Sequence, residues 1–525
     1  MSTLVNLFCD SSSFRGFEKV FDGFSAFEKV LAWAKKIPDS KIVIFFFQNQ
    51  KEEVENQTSG ENVTLFCQEN WSPFSLLNFL YDFAQKFECE DVIFSFADLP
   101  FINLSLTNEI FLRHKKFAAE YSFADGYPYG FSPEIFAKDS LKILAGLAQK
   151  NPDFTKEKNI SRTALFDILK TEINSFEIET ILCPEDFRML RLQFDCRSKS
   201  DFFSCQNLFK IAQNEENPVN LSKLAQKSLQ VRKTFPSYYS IQIAKNHKNK
   251  IFYLPKLEFN SEKDFMPFED FSVLCKKISQ FSEEAVISLS FWGEPLEHPY
   301  FEKFVQEILK YSGLSVLIET DSLSLTEEKI KNLKLIEENA QNRTNNYPKI
   351  MWIIKIDAFS AQKYSEIRGE KIEDFEKALQ NVKILSSYFE NVYPEMTRIN
   401  QNEDELESFY RFWSEKQSPS NSKVLVQKYN DFCKTLPDLR PADISPLERN
   451  VCWHLLKDFD IFLDGSVPVC SQVYKSDEKN LILGNVFTDD LENIWQKKNQ
   501  FVENQINENY SQKCRDCDEF YTFNF

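Results

Sequence analysis

The chain has 525 residues, 42% of them hydrophobic and 27% charged, with a formal net charge of -17 at pH 7. That length suits two to four domains with sizeable cores, and the composition is that of a globular protein. The acidity excludes nucleic acid as the main partner, because phosphate binding needs clustered Lys and Arg. No run approaches the roughly 18 apolar residues of a membrane span; the longest, KIVIFFFQ at 41–48, is strand-sized. The opening MSTLVNLFCDSSSF has neither the basic start nor the apolar stretch of a secretion signal, so a cytoplasmic location without a membrane partner is expected.

Strands are expected at 3–8, 42–47, 62–67 and 91–96. Between the last two, a helix starts after Ser72-Pro73 and places Leu76, Leu77, Leu80, Phe83 and Phe87 on one face. Such alternation implies a mainly parallel sheet covered by helices. Residues 151–235 read as mostly helical and connecting, and the polar QNEENPVNLSK at 213–223 reads as a boundary. From Ser237 the alternation restarts, with strands at 238–243, 286–290, 315–319, 351–356, 391–396 and 423–427. Helices are expected at 266–280, 299–311, 326–338, 371–388 and 403–416. Six such strands suit an incomplete (β/α)6 barrel as well as an open doubly wound sheet, and in both the chemistry sits at the strands' C-terminal ends. Those ends carry FWGEPLEHP after the second strand, ETDS after the third and DAFS after the fourth. The expected α/β domains span 1–212, 230–430 and 445–525.

Twelve cysteines in a cytoplasmic chain do not read as a disulfide framework. Cys9, Cys67, Cys89, Cys183, Cys196, Cys205, Cys275 and Cys433 are scattered and read as small buried hydrophobes. Cys452, Cys470, Cys514 and Cys517 instead crowd the C-terminal segment. The first two are joined through an expected hairpin with Asp464-Gly465 as its turn, and the last two form a C-x2-C pair. Four thiolates make a closed ligand set for one metal centre, and structural zinc uses the same set. His114, His298 and His454 suggest no triad; His298 is expected to pack or cap. The acidic run at 403–407 reads as a solvated helix start.

Together, SYYSIQIAKNHKNKIFYLPK (237–256), ISLSFWGEPLEHP, VLIETDSLSLTEE and IIKIDAFSAQKYSEIRG resemble the radical SAM enzymes. In that family a Gly-Gly-Glu-Pro turn holds the amino group of S-adenosylmethionine. Here Trp292 replaces the first glycine, while Gly293, Glu294 and Pro295 match. Thr320, Asp321 and Ser322 stand where the family commonly has threonine, asparagine and glycine, and Asp357 matches the aspartate of its fourth strand end. The resemblance implies that these residues bind S-adenosylmethionine. The family's first loop carries three cysteines that hold a 4Fe-4S cluster. Lys245, Asn249 and either Phe252 or Leu254 occupy those places, and the lone His247 cannot replace three thiolates, so the radical-generating site is expected to be lost.

The C-terminal segment resembles the SPASM domain in its four cysteines, Gly465, Gly484-Asn485-Val486 and Ile494-Trp495. This implies one 4Fe-4S cluster, with Zn2+ as the alternative. In the first domain, DVIFSFADLPFIN and AEYSFADGYPYGFSPEI resemble GT-A nucleotidyltransferases, which implies that Asp98 helps hold the Mg2+ of a nucleotide. The family's glycine-rich phosphate loop falls where Ser11, Ser12 and Ser13 stand, beside Arg15 and Lys19, which either meet phosphates or form a solvated face. The combination looks like the spirochaete-type "spiro-SPASM" proteins. A small-molecule, nucleotide or peptide ligand is expected. Three readings stay open: a cluster-binding relative without radical chemistry, an active maturase or nucleotidyltransferase, and a non-catalytic scaffold.

Overall fold

Strand β1 (Thr3–Phe8) is buried along its whole length, as a strand covered on both faces must be. It is an interior strand of a seven-stranded sheet with β2 (Ser40–Phe47), β3 (Thr64–Gln68), β4 (Asp91–Phe96), β5 (Tyr121–Asp125), β6 (Glu134–Ala137) and β7 (Ile178–Leu182). The computed structural model describes residues 2–10, 15–157, 160–245, 251–259, 263–345 and 347–522. It divides into two units, Met1–Thr234 and Phe235–Phe525.

In the first unit the strand order is β3-β2-β1-β4-β6-β5-β7. β1 pairs in parallel with both β2 and β4, so the winding reverses between β1 and β4. β6 alone runs antiparallel to its neighbours. The helix Pro73–Lys86 is capped by Ser72 and buries Leu76, Leu77, Leu80 and Ala84. Its Phe83 ring packs 5.4 Å from Phe45 of β2. The segment 151–235 also contributes β7, which its reading as helix and connection misses. β7 is a short strand of mixed polarity pairing only with β5, so its sequence carries little apolar periodicity. Residues 213–223 lie inside this unit, where Asn217 caps the helix Pro218–Lys227 by accepting the Val219 and Asn220 N–H groups.

The second unit places its strands in chain order. β8 (Tyr238–Ile241), β9 (Ala285–Ser288), β10 (Leu314–Thr320), β11 (Ile350–Lys355), β12 (Val392–Arg398) and β13 (Leu425–Lys428) are successive parallel neighbours. A doubly wound sheet reverses its order at a switch point, and this one does not. Of the two architectures the sequence allows, it is the partial barrel. Helices Phe268–Phe281, Phe301–Leu309, Glu327–Asn339, Ile372–Tyr388 and Leu406–Ser414 occupy the expected gaps. Among the described residues no helix is long and apolar enough to cross a membrane.

The expected hairpin between Cys452 and Cys470 needs correction. Its turn forms, with Gly465 at φ +84° and the Phe462 N–H donating to Ser466 O at 2.9 Å. The flanking strands, however, find other partners. β14 (Asp458–Ile461) joins the barrel sheet, parallel to β8, and β15 (Ser466–Pro468) pairs antiparallel with β16 (Ile482–Asn485). The physical reason is the exposed edge that β8 otherwise presents: every residue of β8 and β14 is buried, and Tyr239 stacks on Phe459 at 5.4 Å. The C-terminal segment thus supplies a strand of the barrel. A chain ended at residue 445 should leave β8 as an apolar edge and aggregate, read by size-exclusion chromatography. A soluble monomer with an unchanged melting transition would contradict the pairing.

Candidate functional site

Cys452 precedes the short helix Trp453–Lys457 that leads into β14, and Cys470 follows β15. Cys514 lies in the helix Gln512–Asp516, whose cap Ser511 accepts the Cys514 N–H, and Cys517 follows that helix. All four line one cavity of about 60 Å3. Gln505 bridges two of them: its Oε1 accepts the Cys452 N–H at 2.8 Å and its Nε2 donates to Cys514 Sγ at 3.5 Å. Arg449 donates to Cys514 O at 2.8 Å and Cys517 O at 2.7 Å, with its guanidinium 4.0 Å from the Phe520 ring. The C-x2-C turn is therefore clamped through its backbone, leaving the sulfurs to face inward.

Burial, and then the neighbouring Cys517 sulfur, push Cys470 up to about 12 and Cys452 well above an ordinary thiol. Four ionised thiolates would need a compensating cation to share such a cavity. Among the described residues no three His, Cys, Asp or Glu side chains are gathered tightly enough to hold a single ion. A fifth cysteine lines the same cavity: Cys433, one of the eight read as scattered. It is buried as expected, but its distance in sequence hides its place here.

In the first unit, Asp10 follows β1 and Asp98 follows β4, so both stand at the reversal point where open α/β sheets bind ligands. Asp195 completes a trio, each of them buried. The space between them holds Arg162, whose Nη2 lies 2.6 Å from Asp98 Oδ2 and 3.6 Å from Asp10 Oδ2, and whose Nε lies 3.5 Å from Asp195 Oδ2. Its guanidinium covers the Phe96 ring at 4.2 Å. Burial raises Asp98 to about 7 against the pull of Arg162. Sequence reasoning finds Asp98 but misses Arg162, which comes from a segment without periodicity; Asp10 was findable as a second strand-end aspartate. Ser11, Ser12 and Ser13 lie outside the described residues. Arg15 pairs with Glu18 at 3.6 Å and Lys19 with Glu28 at 3.2 Å.

In the second unit, Gly293, Glu294, Pro295, Thr320 and Asp321 come together at the ends of β9 and β10. Gly293 is required by crowding, since a Cβ there would lie 2.3 Å from Ala244 O. Trp292 (φ 60°) and Ser322 (φ 65°) adopt the left-handed backbone at the two positions where the family resemblance places glycine. The backbone shape is kept without the residue that makes it easy. The Trp292 indole packs 5.5 Å from Phe432 and 6.0 Å from Tyr474.

Glu294 does not face an open site. Its Oε1 accepts from Thr320 Oγ1 at 2.6 Å and from the Leu296 N–H at 3.2 Å, and its Oε2 accepts the Asp321 N–H at 3.0 Å. Asp357 is likewise enclosed: Oδ2 accepts from Tyr253 Oη and Arg368 Nη1, both at 2.7 Å, and Oδ1 accepts the Thr397 N–H at 2.8 Å. His298 packs on Phe304 at 4.3 Å and accepts the Tyr300 N–H at 3.1 Å. Glu405, in the acidic run read as solvated, accepts the Phe359 N–H at 2.6 Å. Lys245 is exposed and pairs with Asp264, and Phe252 is half exposed. Asn249 and His247 lie outside the described residues.

Burial, and then the Asp321 carboxylate, raise Glu294 from 4.5 to about 8. An acid raised by folding stabilises the folded state below its unfolded pKa, and that contribution is lost as pH rises through the folded value. Stability should fall as pH rises from 4.5 through about 8, and Glu294→Gln should flatten the profile by an amount on the order of a few kcal/mol. Urea unfolding followed by tryptophan fluorescence across this range measures it. A slope left intact by the substitution would exclude Glu294 as its source.

Comparison with known proteins bears on each part. The SPASM family profile, described as an iron-sulfur cluster-binding domain, matches residues 452–518. An uncharacterized protein of Treponema pallidum (strain Nichols) is 37% identical over 369 residues, covering 69% of this chain and 98% of that one. Among solved structures, BtrN in complex with AdoMet and 2-DOIA is 15% identical, with 54% of this chain and 94% of that chain covered and a TM-score of 0.35. A cytidylyltransferase from Leptospira borgpetersenii is 16% identical, with 43% and 93% covered and a TM-score of 0.35. Its parallel half-barrel is followed by a SPASM iron-sulfur cluster-binding domain, and the chain belongs to one family with the Treponema pallidum protein.

Proposed function

We propose that this protein is a cytoplasmic member of the radical SAM/SPASM superfamily that keeps one cluster, on its C-terminal cysteines, and binds a small-molecule or peptide ligand without generating radicals. The observation that carries the reading is the pairing of a cysteine-lined cavity at the C-terminus with a strand exit after β8 whose sequence has no cysteine between Cys205 and Cys275. Cys452, Cys470, Cys514 and Cys517 would hold the cluster, which supplies electron transfer or polarisation of a bound ligand. A cavity of about 60 Å3 exceeds what one ion fills.

The barrel end supports the second half of the reading. Trp292 stands where the family's turn opens with glycine, and its indole occupies an aromatic cluster with Phe291, Phe432 and Tyr474. The hydrogen bonds on Glu294 are made to its own chain, which leaves S-adenosylmethionine at most a weak ligand of Gly293, Glu294, Pro295, Thr320, Asp321 and Asp357. In the first unit, Mg2+ at Asp98 would have to displace Arg162, so pyrophosphate-forming turnover is not the activity we assign.

Protein purified anaerobically should contain stoichiometric iron and acid-labile sulfide, and Cys514→Ser should lower both along with the melting temperature. Stoichiometric zinc would replace the cluster in this reading, and a metal-free protein indifferent to the substitution would refute it. Under reducing, anaerobic conditions the protein should form no 5'-deoxyadenosine from S-adenosylmethionine. Formation above a boiled control would restore radical chemistry to the barrel.

A further inference from the structure

Cys433 lies outside the matched domain, in the segment between β13 and Cys452, yet it lines the cavity of the other four cysteines. Its thiol donates to Gln472 Oε1 at 3.9 Å. The next residue, Lys434, pairs with Asp516, the residue before Cys517, which sets Cys433 at the Cys517 side of the cavity. The backbone that brings it there is unusual. Phe432, Cys433 and Lys434 have φ of 51°, 59° and 60°, three successive residues with side chains in the left-handed region. Such a run persists only where its surroundings fix it.

The surroundings do so. Asp431 O accepts the Thr435 and Leu436 N–H groups at 3.1 and 3.0 Å, and Asp431 Oδ1 accepts the Lys434 N–H at 2.9 Å. Asn430 Oδ1 accepts the Phe432 N–H at 2.9 Å, and Lys434 pairs with Asp516 of the C-x2-C turn at 3.3 Å. The plain alternative is a thiol that only fills space. Space-filling accounts for burial, but not for a thiol in a cavity lined by four more cysteines, on a turn tied by Lys434 to Asp516.

Building on the cluster reading above, we propose that Cys433 is a fifth thiol of the metal centre, interchangeable with Cys517 as ligand to one iron. A four-iron cluster offers four ligand positions, and five thiols leave one over. The Lys434–Asp516 pair, which ties the Cys433 turn to the C-x2-C turn, points to Cys433 and Cys517 as the two that share a position. The sulfur that binds gives up its proton on doing so, and the one left out stays a thiol.

The test compares wild type with Cys433→Ala, Cys517→Ala, the double variant and Cys452→Ala in the full chain, purified anaerobically. Iron, sulfide and the electron paramagnetic resonance spectrum of the reduced protein are the readouts, with circular dichroism to confirm folding. Each single variant of the pair should keep more than about half the wild-type iron with an altered spectrum, while the double variant falls to the level of Cys452→Ala. If Cys517→Ala alone empties the site while Cys433→Ala leaves iron and spectrum unchanged, the interchange is overturned and the cluster reading stands. Iron retained by the double variant would overturn the interchange equally. A wild-type protein without iron and sulfide would instead overturn the cluster reading itself, and this proposal with it.

Discussion

The second unit depends on closing one edge of its parallel sheet. β8 is the first strand of the half-barrel and has no earlier strand to pair with; its residues are all buried and would otherwise offer a row of open backbone groups. β14 fills that edge, and in doing so fixes the chain on either side of it. The helix carrying the Cys452 end is drawn to one end of the new strand, and the turn at Gly465 sends the chain back through β15 to Cys470. At the opposite edge of the sheet, Lys428 of β13 reaches Asp518 at 3.0 Å, just after the C-x2-C pair. The cysteine-bearing segment is thus fastened to both the first and the last strand of the barrel, and the cavity follows from that double attachment.

A second constraint is what happens to carboxylates at strand ends. These positions face the crevice where α/β proteins bind ligands, so an acid there reads as a ligand-binding group. In this chain the acids are answered from within. Arg162 stands among Asp10, Asp98 and Asp195, Arg368 and Tyr253 enclose Asp357, and Thr320 with backbone N–H groups surrounds Glu294. The two arginine sites are costly to disrupt, because removing one partner of a buried ion pair strands the other. The crevices are thereby specified as solid parts of the structure.

Much of this is legible in the sequence, and the reasons for success and failure are physical. The barrel strands and helices are readable because each buries one continuous face, and Val286, Ile287, Val316 and Ile318 show it in apolar runs. The four C-terminal cysteines are readable because their spacing is dense. β7 is not readable, since a half-exposed edge strand carries no clean period. The partner of β14 is hidden because strand pairing is a tertiary choice, and a local turn at Asp464-Gly465 suggests the nearer partner. Arg162 and Cys433 are hidden because a side chain that completes a site from a distant segment leaves no local signature.

The place of β14 has a consequence for how the protein is made. Leu463, just beyond that strand, donates its N–H to the Gln242 side chain at 3.2 Å, across 221 residues of sequence. On a ribosome adding about 5–20 residues per second, that separation corresponds to roughly ten to forty seconds. For that interval the nascent half-barrel has its core but not its closing strand, and the edge of β8 is open to whatever lies nearby. Long-range parallel pairings are slow to form in any case. The newly made chain therefore has reason to meet a chaperone during synthesis, before Cys470, Cys514 and Cys517 have emerged.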